Sequence, residues 1–130
     1  MKFKNSKKQG DYGLGKAISW FTSRGHTVLI PLTDSQPYDL VVDIEGEGLR
    51  RVDVKTTSIK HNTQKDKYIV GLKVSGGNRS GTGKSRKFSK TDTDYLFVVT
   101  DSGDKYLIPA EELGTSVAVL GPKFHKFKLG

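Results

Sequence analysis

Apolar residues recur at spacings of three and four near the start of the chain, which predicts a helix over residues 10–24. The repeating positions are Leu14, Ala17, Ile18 and Phe21. Gly13 and Gly15 lower the helix propensity of the first turn. Gly25 follows the repeat directly, at a position where helices commonly end. The pattern therefore predicts one amphipathic helix that packs against the rest of the fold.

Two segments with alternating polar and apolar residues, 38–44 and 49–58, follow the helix. Such alternation predicts strands with one buried face, and the intervening EGEG sequence predicts a hairpin that makes the strands neighbours. The polar face of the second strand carries Asp53 and Lys55, because residues two apart share a face. If Asp39 of the first strand pairs into this face, two carboxylates and an ammonium group converge.

The remaining apolar runs predict shorter elements. We expect strands over residues 26–32, 68–74, 94–100 and 105–109, one helical turn in AEELG and a short strand in SVAVLG. One helix followed by mostly antiparallel strands predicts an α+β fold. The chain has 130 residues, a length that favours a single domain over residues 1–130.

Positive charge is concentrated in three segments around a balanced body. The net charge is +8, and four lysines fall within residues 1–10, five basic residues within 76–90 and three lysines within 123–130. The corresponding predicted elements are a basic arm (residues 1–9), a mobile basic loop (75–90) and a basic tail (122–130). Segregated charge of this kind favours a polyanionic partner such as nucleic acid. The alternative is a surface whose charge serves only solubility.

Residue types and apolar runs that the sequence lacks exclude several classes of site and of protein. The sequence has no cysteine, which excludes disulfide scaffolds, zinc ribbons, iron–sulfur sites and cysteine nucleophiles. No apolar run approaches the ~18 residues of a membrane span, and the basic start lacks the apolar core of a signal peptide. We therefore expect an intracellular, cytoplasmic protein with no membrane partner.

A GTGKS run at residues 81–85 raises the alternative of a nucleotide-binding loop. That motif requires a glycine five residues before Gly83, where this chain has Asn78, so we expect no nucleotide cofactor. The basic residues are better explained as contacts to a phosphate backbone. The candidates for nucleic-acid contact are Lys7, Lys8, Asn78, Arg79, Lys84, Arg86, Lys87, Lys123 and Lys126.

Asp39, Asp53 and Lys55 form the combination best suited to catalysis. Hard divalent cations bind carboxylate oxygens, and Mg²⁺ is commonly held by one or two carboxylates together with water and phosphate. A bound metal activates water for hydrolysis, and a nearby lysine orients that water or offsets developing negative charge. The alternative is an ordinary alternating strand whose charged side chains face solvent.

The order Asp39, then Asp53-x-Lys55, on a hairpin behind a helix resembles the PD-(D/E)XK nuclease superfamily. Within it, the chain is most similar to the bacterial homing endonucleases that are encoded in group I introns. The stretches that carry this resemblance are KKQGDYG, RGHTVLIP, PYDLVVD, VDVKTTS and TDYLFVVTDSGDKYLIPAEEL. Together they span residues 7–113, and their order is more specific than the short catalytic motif alone.

The resemblance implies a fold, an activity and a site. The fold is a restriction-endonuclease-like core with a mixed, mostly antiparallel sheet and an N-terminal helix. The activity is Mg²⁺-dependent (or Mn²⁺-dependent) hydrolysis of phosphodiester bonds at specific sites in double-stranded DNA, by a homodimer or homotetramer of bacterial or phage origin. Asp39, Asp53 and the backbone carbonyl of Val54 are implied to hold the metal, and Lys55 to act on the attacking water.

One position departs from the family pattern. Relatives place a glutamate on the first helix, in a pattern such as G-D-x-G-E, and this chain has Leu14 there. Asp11, one turn earlier, is the remaining candidate for a carboxylate ligand from the helix. Three alternatives stay open: a Holliday-junction resolvase on the same core, a DNA-binding derivative with impaired catalysis, and a small RNA-binding protein.

Overall fold

The computed structural model of the chain describes residues 5–75 and 85–130, which form one long helix, ten strands and two short 3₁₀ segments. The helix is α1 (Ser6–Ser23), and the strands are β1 (Thr27–Leu29), β2 (Leu40–Ile44), β3 (Gly48–Thr57), β4 (Tyr68–Gly71), β5 (Val74–Ser75), β6 (Ser85–Arg86), β7 (Tyr95–Thr100), β8 (Lys105–Pro109), β9 (Val117–Leu120) and β10 (Lys128–Leu129). The 3₁₀ segments are Ala110–Glu112 and Pro122–Phe127.

Helix α1 begins earlier than the apolar repeat predicts. Asn5 is its N-cap, and the Asn5 side chain accepts a hydrogen bond from the Lys8 amide at 2.9 Å, which satisfies one of the free amides of the first turn. The predicted basic arm over residues 1–9 is therefore partly helical. At the other end, Gly25 has a φ of +83° and follows the helix as predicted, because glycine adopts this left-handed conformation without strain.

Six strands form one mixed sheet in the order β1-β2-β3-β7-β8-β10. Adjacent strands in this sheet are antiparallel. The exception is the pair β3 and β7, which run parallel over β3 residues Val52 to Thr57. Strands β4 and β9 form a separate two-stranded ribbon, and β5 pairs with β6. The prediction of an α+β fold, with a mixed and mostly antiparallel sheet behind a helix, is confirmed.

Some predicted elements are shorter than the apolar runs indicate. Residues 26–32 contribute only β1, since Pro31 has no amide hydrogen with which to extend the ladder. The predicted strand 68–74 is divided between β4 and β5. The predicted tail over residues 122–130 is packed onto the fold, because Phe124 is buried and β10 pairs with β8 at one edge of the sheet.

The two faces of the sheet have different coverings. Helix α1 packs on one face, over a core cluster that includes Leu40 and Val52. The β4/β9 ribbon covers part of the other face, over a cluster that includes Leu96. Strand alternation places Asp53 and Lys55 on the ribbon side, where Asp53 is the register partner of Leu96.

Candidate active site

Strand β3 is longer than its neighbour β2, and this difference creates the candidate site. The β2–β3 ladder ends at the pair Leu40↔Val52, with a last hydrogen bond from the Asp39 amide to the Val52 carbonyl at 2.9 Å. Strand β3 continues beyond this pair and stays hydrogen-bonded to β7 on its other side. Backbone groups alternate in direction along a strand, so those of Val54 and Thr56 point toward the open edge beyond β2.

Two side chains bind the backbone at this open edge. The Asp39 carboxylate accepts a hydrogen bond from the Val54 amide at 2.8 Å. Gln9 of α1 donates its side-chain amide to the carbonyl of Thr56 at 2.7 Å. The Val54 carbonyl lies on the same edge between these two contacts. The open edge therefore offers one backbone oxygen beside the Asp39 carboxylate.

Gln9 is a site residue that the sequence analysis did not predict. Its signal is helical spacing: Gln9, Gly13, Ala17 and Phe21 are four residues apart, and the last three are the buried residues of α1. A residue one turn before a buried stripe faces the same neighbour. Here that neighbour is the end of β3, where a polar side chain meets a free carbonyl.

Gly13 allows α1 and β3 to approach closely. A Cβ atom at this position would stand 1.9 Å from Thr56 Oγ1 and 3.5 Å from Val54 Cγ1. Glycine has a low helix propensity, but at this position it lets the helix backbone pack directly on the strand. This contact sets the distance between Gln9 and the Thr56 carbonyl.

Asp53 and Lys55 lie together on the ribbon side of β3. Lys55 Nζ is 3.8 Å from Asp53 Oδ2, and Asp53 is only 7% exposed. Burial, joined by the charge of Asp39 and a hydrogen bond with its carboxyl group, raises the pKa of Asp53 to about 8 against the opposing effects of Lys55 and the Val54 amide. Asp53 therefore needs additional positive charge nearby before it ionises at neutral pH.

The buried Asp53 carboxyl predicts a pH-dependent stability for the metal-free protein. Since its folded-state pKa is about 8 and its ordinary value is 3.8, the folded state keeps a proton that the unfolded chain releases. The contribution of Asp53 to the free energy of unfolding is therefore present below about pH 4 and lost as the pH rises to about 8. Asp53→Asn lacks this loss, so its stability relative to the native protein should increase across the same window, by at most about 1.4 kcal/mol per pH unit.

Urea unfolding in EDTA at several pH values within this window measures the difference. Asp43→Asn, which removes an exposed carboxylate from β2, is the matched control and is expected to follow the native profile. Parallel profiles for Asp53→Asn and the native protein would contradict a raised pKa at Asp53.

The oxygen donors at the site fit a hard divalent cation. Asp39 and Asp53 supply carboxylates, the Val54 carbonyl supplies a third oxygen, and Mg²⁺ commonly completes such a set with water. Within residues 5–75 and 85–130, no three side chains of histidine, cysteine, aspartate or glutamate are grouped so as to hold a metal. With two side-chain carboxylates, the remaining positions around a bound ion would be filled by water or substrate oxygens.

The two helix positions considered from the sequence, Asp11 and Leu14, have different surroundings in the structure. Asp11 is exposed, and it is two residues from both Gln9 and Gly13, or roughly 200° around the helix. It therefore points away from β3. Leu14, where the resemblance implies a glutamate, packs against the core cluster beneath α1. The structure thus does not bring Asp11 to Asp39.

The predicted nucleic-acid contacts are distributed over several surfaces. The exposed ones are Lys7 and Lys8 on the first turn of α1, Lys87 after β6, and Lys123 and Lys126 on the second 3₁₀ segment. Asn78, Arg79 and Lys84 lie outside the described residues. Among the candidates that the structure describes, the lysines are therefore available to solvent.

Arg86 differs from these lysines because it forms a two-pronged salt bridge. Its guanidinium donates to the Asp92 carboxylate at 2.7 Å and 3.1 Å. Asp92 is buried, and its hydrogen bonds from Arg86 lower its pKa. Arg86 lies within the predicted mobile loop (residues 75–90), and it fixes the end of that segment to the body of the protein, so residues 85–90 are not the open loop that was predicted.

A helix packs on the mixed sheet, and two carboxylates and a lysine lie near the open end of one strand. The chain belongs to the PD-(D/E)XK endonuclease family, whose family model matches residues 4–123. Among solved structures it is similar to the bacterial homing endonuclease I-Ssp6803I, with 26% sequence identity and a TM-score of 0.75, covering 95% of this chain and 88% of that chain. No curated protein sequence matches the chain. The resemblance identified from the sequence is confirmed.

Over the residues that the structure describes, no helix is both long enough and apolar enough to cross a bilayer.

Proposed function

We propose that the protein is an endonuclease that uses Mg²⁺ or Mn²⁺ to hydrolyse phosphodiester bonds at specific sites in double-stranded DNA. The observation that carries this proposal is the grouping of Asp39, buried Asp53 and Lys55 around the open edge of β3. The similarity to a homing endonuclease supports DNA as the substrate and cleavage at specific sites. The net charge of +8 supports a polyanionic substrate.

Asp39, Asp53 and the Val54 carbonyl are the groups that would hold the metal ion. When bound, such an ion acts as a Lewis acid and lowers the pKa of a bound water. Lys55, 3.8 Å from Asp53, is placed to orient the attacking water and to offset the negative charge that develops on the phosphoryl oxygens. Gln9 and Asp39 hold the β3 backbone on both sides of the Val54 carbonyl, and this restraint fixes the direction in which Lys55 projects.

Cleavage of both strands of a duplex requires more than one copy of this site. A dimer with two-fold symmetry presents identical sites to the two antiparallel DNA strands. We therefore include in the proposal a homodimer or homotetramer of a one-domain chain. A symmetric assembly of this kind acts on a pseudo-palindromic target.

Leu14 favours a second candidate function, a DNA-binding protein that has lost catalysis. A leucine side chain cannot replace a carboxylate ligand, and Leu14 packs against the core cluster beneath α1. If a helix carboxylate is essential to the reaction, this protein binds DNA without cutting it.

Cleavage assays in Mg²⁺ and in EDTA test both candidates. The substrates are a supercoiled plasmid library of randomised sites and an immobile four-way junction. We expect Mg²⁺-dependent nicking or linearisation of a subset of the plasmids, with no preference for the junction. Symmetric cuts in the junction alone would identify a resolvase, whereas binding without cleavage of any substrate would favour the DNA-binding protein.

Loss of the Gln9 amide is expected to lower the cleavage rate by a larger factor than the accompanying loss in the free energy of unfolding explains. Gln9→Ala removes one hydrogen bond to the Thr56 carbonyl, a loss of about 0.5–1.5 kcal/mol in the free energy of unfolding. Gln9→Glu keeps the size of the side chain but has no N–H to donate. In both variants the strand next to Lys55 loses an anchor, and a misplaced catalytic group costs roughly a hundredfold in rate.

The measurement is the cleavage rate at saturating Mg²⁺, made together with urea unfolding. Ser19→Ala, at an exposed position of α1, is the control and should leave the rate unchanged. A purely structural role for Gln9 is indicated if the rate in both Gln9 variants falls only in proportion to the unfolded fraction.

A further inference from the structure

A groove follows the flank of the β4/β9 ribbon, where the loop before β4 meets the second 3₁₀ segment. Its volume is about 370 Å³. Its polar side chains are Gln64, Lys67 and Lys123, and its wall includes Gly114 and Gly121. None of the described residues that line it is acidic. We name this feature the basic groove.

Both lysines of the basic groove are held in place by their neighbours. Lys67 Nζ donates to Gln64 Oε1 at 2.6 Å, and its stem crosses Gly121, where a Cβ atom would stand 3.1 Å from Lys67 Cδ. Lys123 Nζ lies 5.3 Å from the centroid of the ring of Phe124, a buried residue. Within the described parts of the chain, neither lysine forms a salt bridge with a carboxylate. Two restrained positive charges therefore lack a partner of opposite charge.

A chain of bonded contacts links the candidate active site to the basic groove. Thr57 lies two residues beyond Lys55 on the same face of β3, roughly 7 Å along the strand. The Thr57 hydroxyl donates to the Ile69 carbonyl of β4 at 2.6 Å, which ties the ribbon to the end of β3. Ile69 pairs with Val119 of β9, and Gly121 of the groove follows two residues later. The groove and Lys55 therefore lie on the same, ribbon-covered side of the sheet.

We propose that the basic groove binds backbone phosphates of the DNA that occupies the candidate active site, at nucleotides away from the scissile phosphate. The choice of DNA as the polyanion rests on the proposed function. Lys67 and Lys123 attract phosphate charge, the Gln64 side chain adds amide donors, and Gly121 leaves room for the Lys67 stem along the wall. Phosphate contacts of this kind position a protein on DNA and release counterions.

The salt dependence of DNA binding tests this proposal. The double variant Lys67→Gln/Lys123→Gln is compared with the native protein in EDTA, with a fluorescent duplex of random sequence as the probe. Loss of two phosphate contacts should reduce the slope of log K against log salt by about 1.8. The control, Lys16→Gln/Lys105→Gln, removes the same charge from α1 and from the α1 side of the sheet, and should keep the native slope.

Gly121→Ala provides a second test in which the charge does not change. The added methyl group displaces the Lys67 stem, so we expect weaker binding with unchanged urea unfolding. A native slope in the Lys67→Gln/Lys123→Gln variant, or an equal reduction in the control, would overturn the proposal. A protein that nicks plasmid but shows such a native slope keeps the proposed function and loses only this inference. Absence of any binding to duplex DNA would overturn both.

Discussion

Gly13→Ala is expected to destabilise the protein by about 1–3 kcal/mol, although alanine is the better helix former. The new Cβ atom would stand 1.9 Å from Thr56 Oγ1, which is far inside any normal contact distance. Thr56 is β-branched and therefore stiff, and its buried hydroxyl has no hydrogen-bond partner among the described residues. Relief of the clash requires α1 to move away from β3. Urea unfolding measures this loss, and we expect a lower midpoint with an unchanged dependence of the free energy of unfolding on urea concentration.

Gly15→Ala is the matched control for this prediction. No atom of a neighbouring element lies within 4 Å of a Cβ at Gly15, so this variant should be more stable than the native protein by up to about 1 kcal/mol. Changes of opposite sign in the free energy of unfolding at two glycines of one helix would separate the effect of packing from that of helix propensity. Adding Thr56→Ala to Gly13→Ala removes the clashing hydroxyl and should recover most of the lost stability. Equal stabilisation by Gly13→Ala and Gly15→Ala would contradict the close contact.

The contact at Gly13 also links the stability of the fold to the candidate chemistry. Gln9 lies one turn before Gly13 on the buried stripe of α1, so any displacement of the helix moves the Gln9 amide away from the Thr56 carbonyl. The end of β3 that carries Lys55 then loses the restraint that α1 provides at this edge. Gly13→Ala should therefore reduce cleavage even under conditions in which the variant is fully folded.

Local patterning was sufficient to predict which face of a strand each residue occupies. Alternation over residues 49–58 separated Val52 from Asp53 and Lys55, and the structure places them on opposite faces of β3. The EGEG hairpin predicted that the two strands are neighbours, and their register confirms this. These features depend on a period of two residues and a short loop, both of which are visible in the sequence.

Long-range pairing could not be predicted in the same way. The parallel pairing of β3 with β7 and the hydrogen bond from Gln9 to Thr56 join residues more than forty positions apart, and no periodicity records which distant element is the partner. The open edge of β3 depends on this pairing, because β3 extends past β2 only while β7 supports its other side. The contact between Gln9 and the end of β3 therefore exists only in the assembled sheet.

Lys55→Ala is expected to reduce the cleavage rate at saturating Mg²⁺ by roughly a hundredfold to a thousandfold, with little change in DNA affinity measured in EDTA. The ammonium group is 3.8 Å from Asp53, and in the proposed function it supports the attacking water and offsets transition-state charge. Lys105→Ala, on the α1 side of the sheet, is the charge-matched control and should cut at the native rate. Undiminished cleavage by Lys55→Ala would remove this lysine from the mechanism.

Two effects of Lys55 contribute to this loss, and the dependence on pH and metal separates them. Lys55 lowers the pKa of Asp53, so its removal raises that pKa further and makes a divalent ion compete with a more tightly held proton. This effect increases the Mg²⁺ concentration needed for half-maximal activity and diminishes at a pH above the pKa of Asp53. Loss of the second effect, that of Lys55 on the water and the phosphoryl oxygens, should lower the maximal rate of the variant at every pH. A rate that recovers fully at high Mg²⁺ and high pH would show that Lys55 serves only to keep Asp53 ionised.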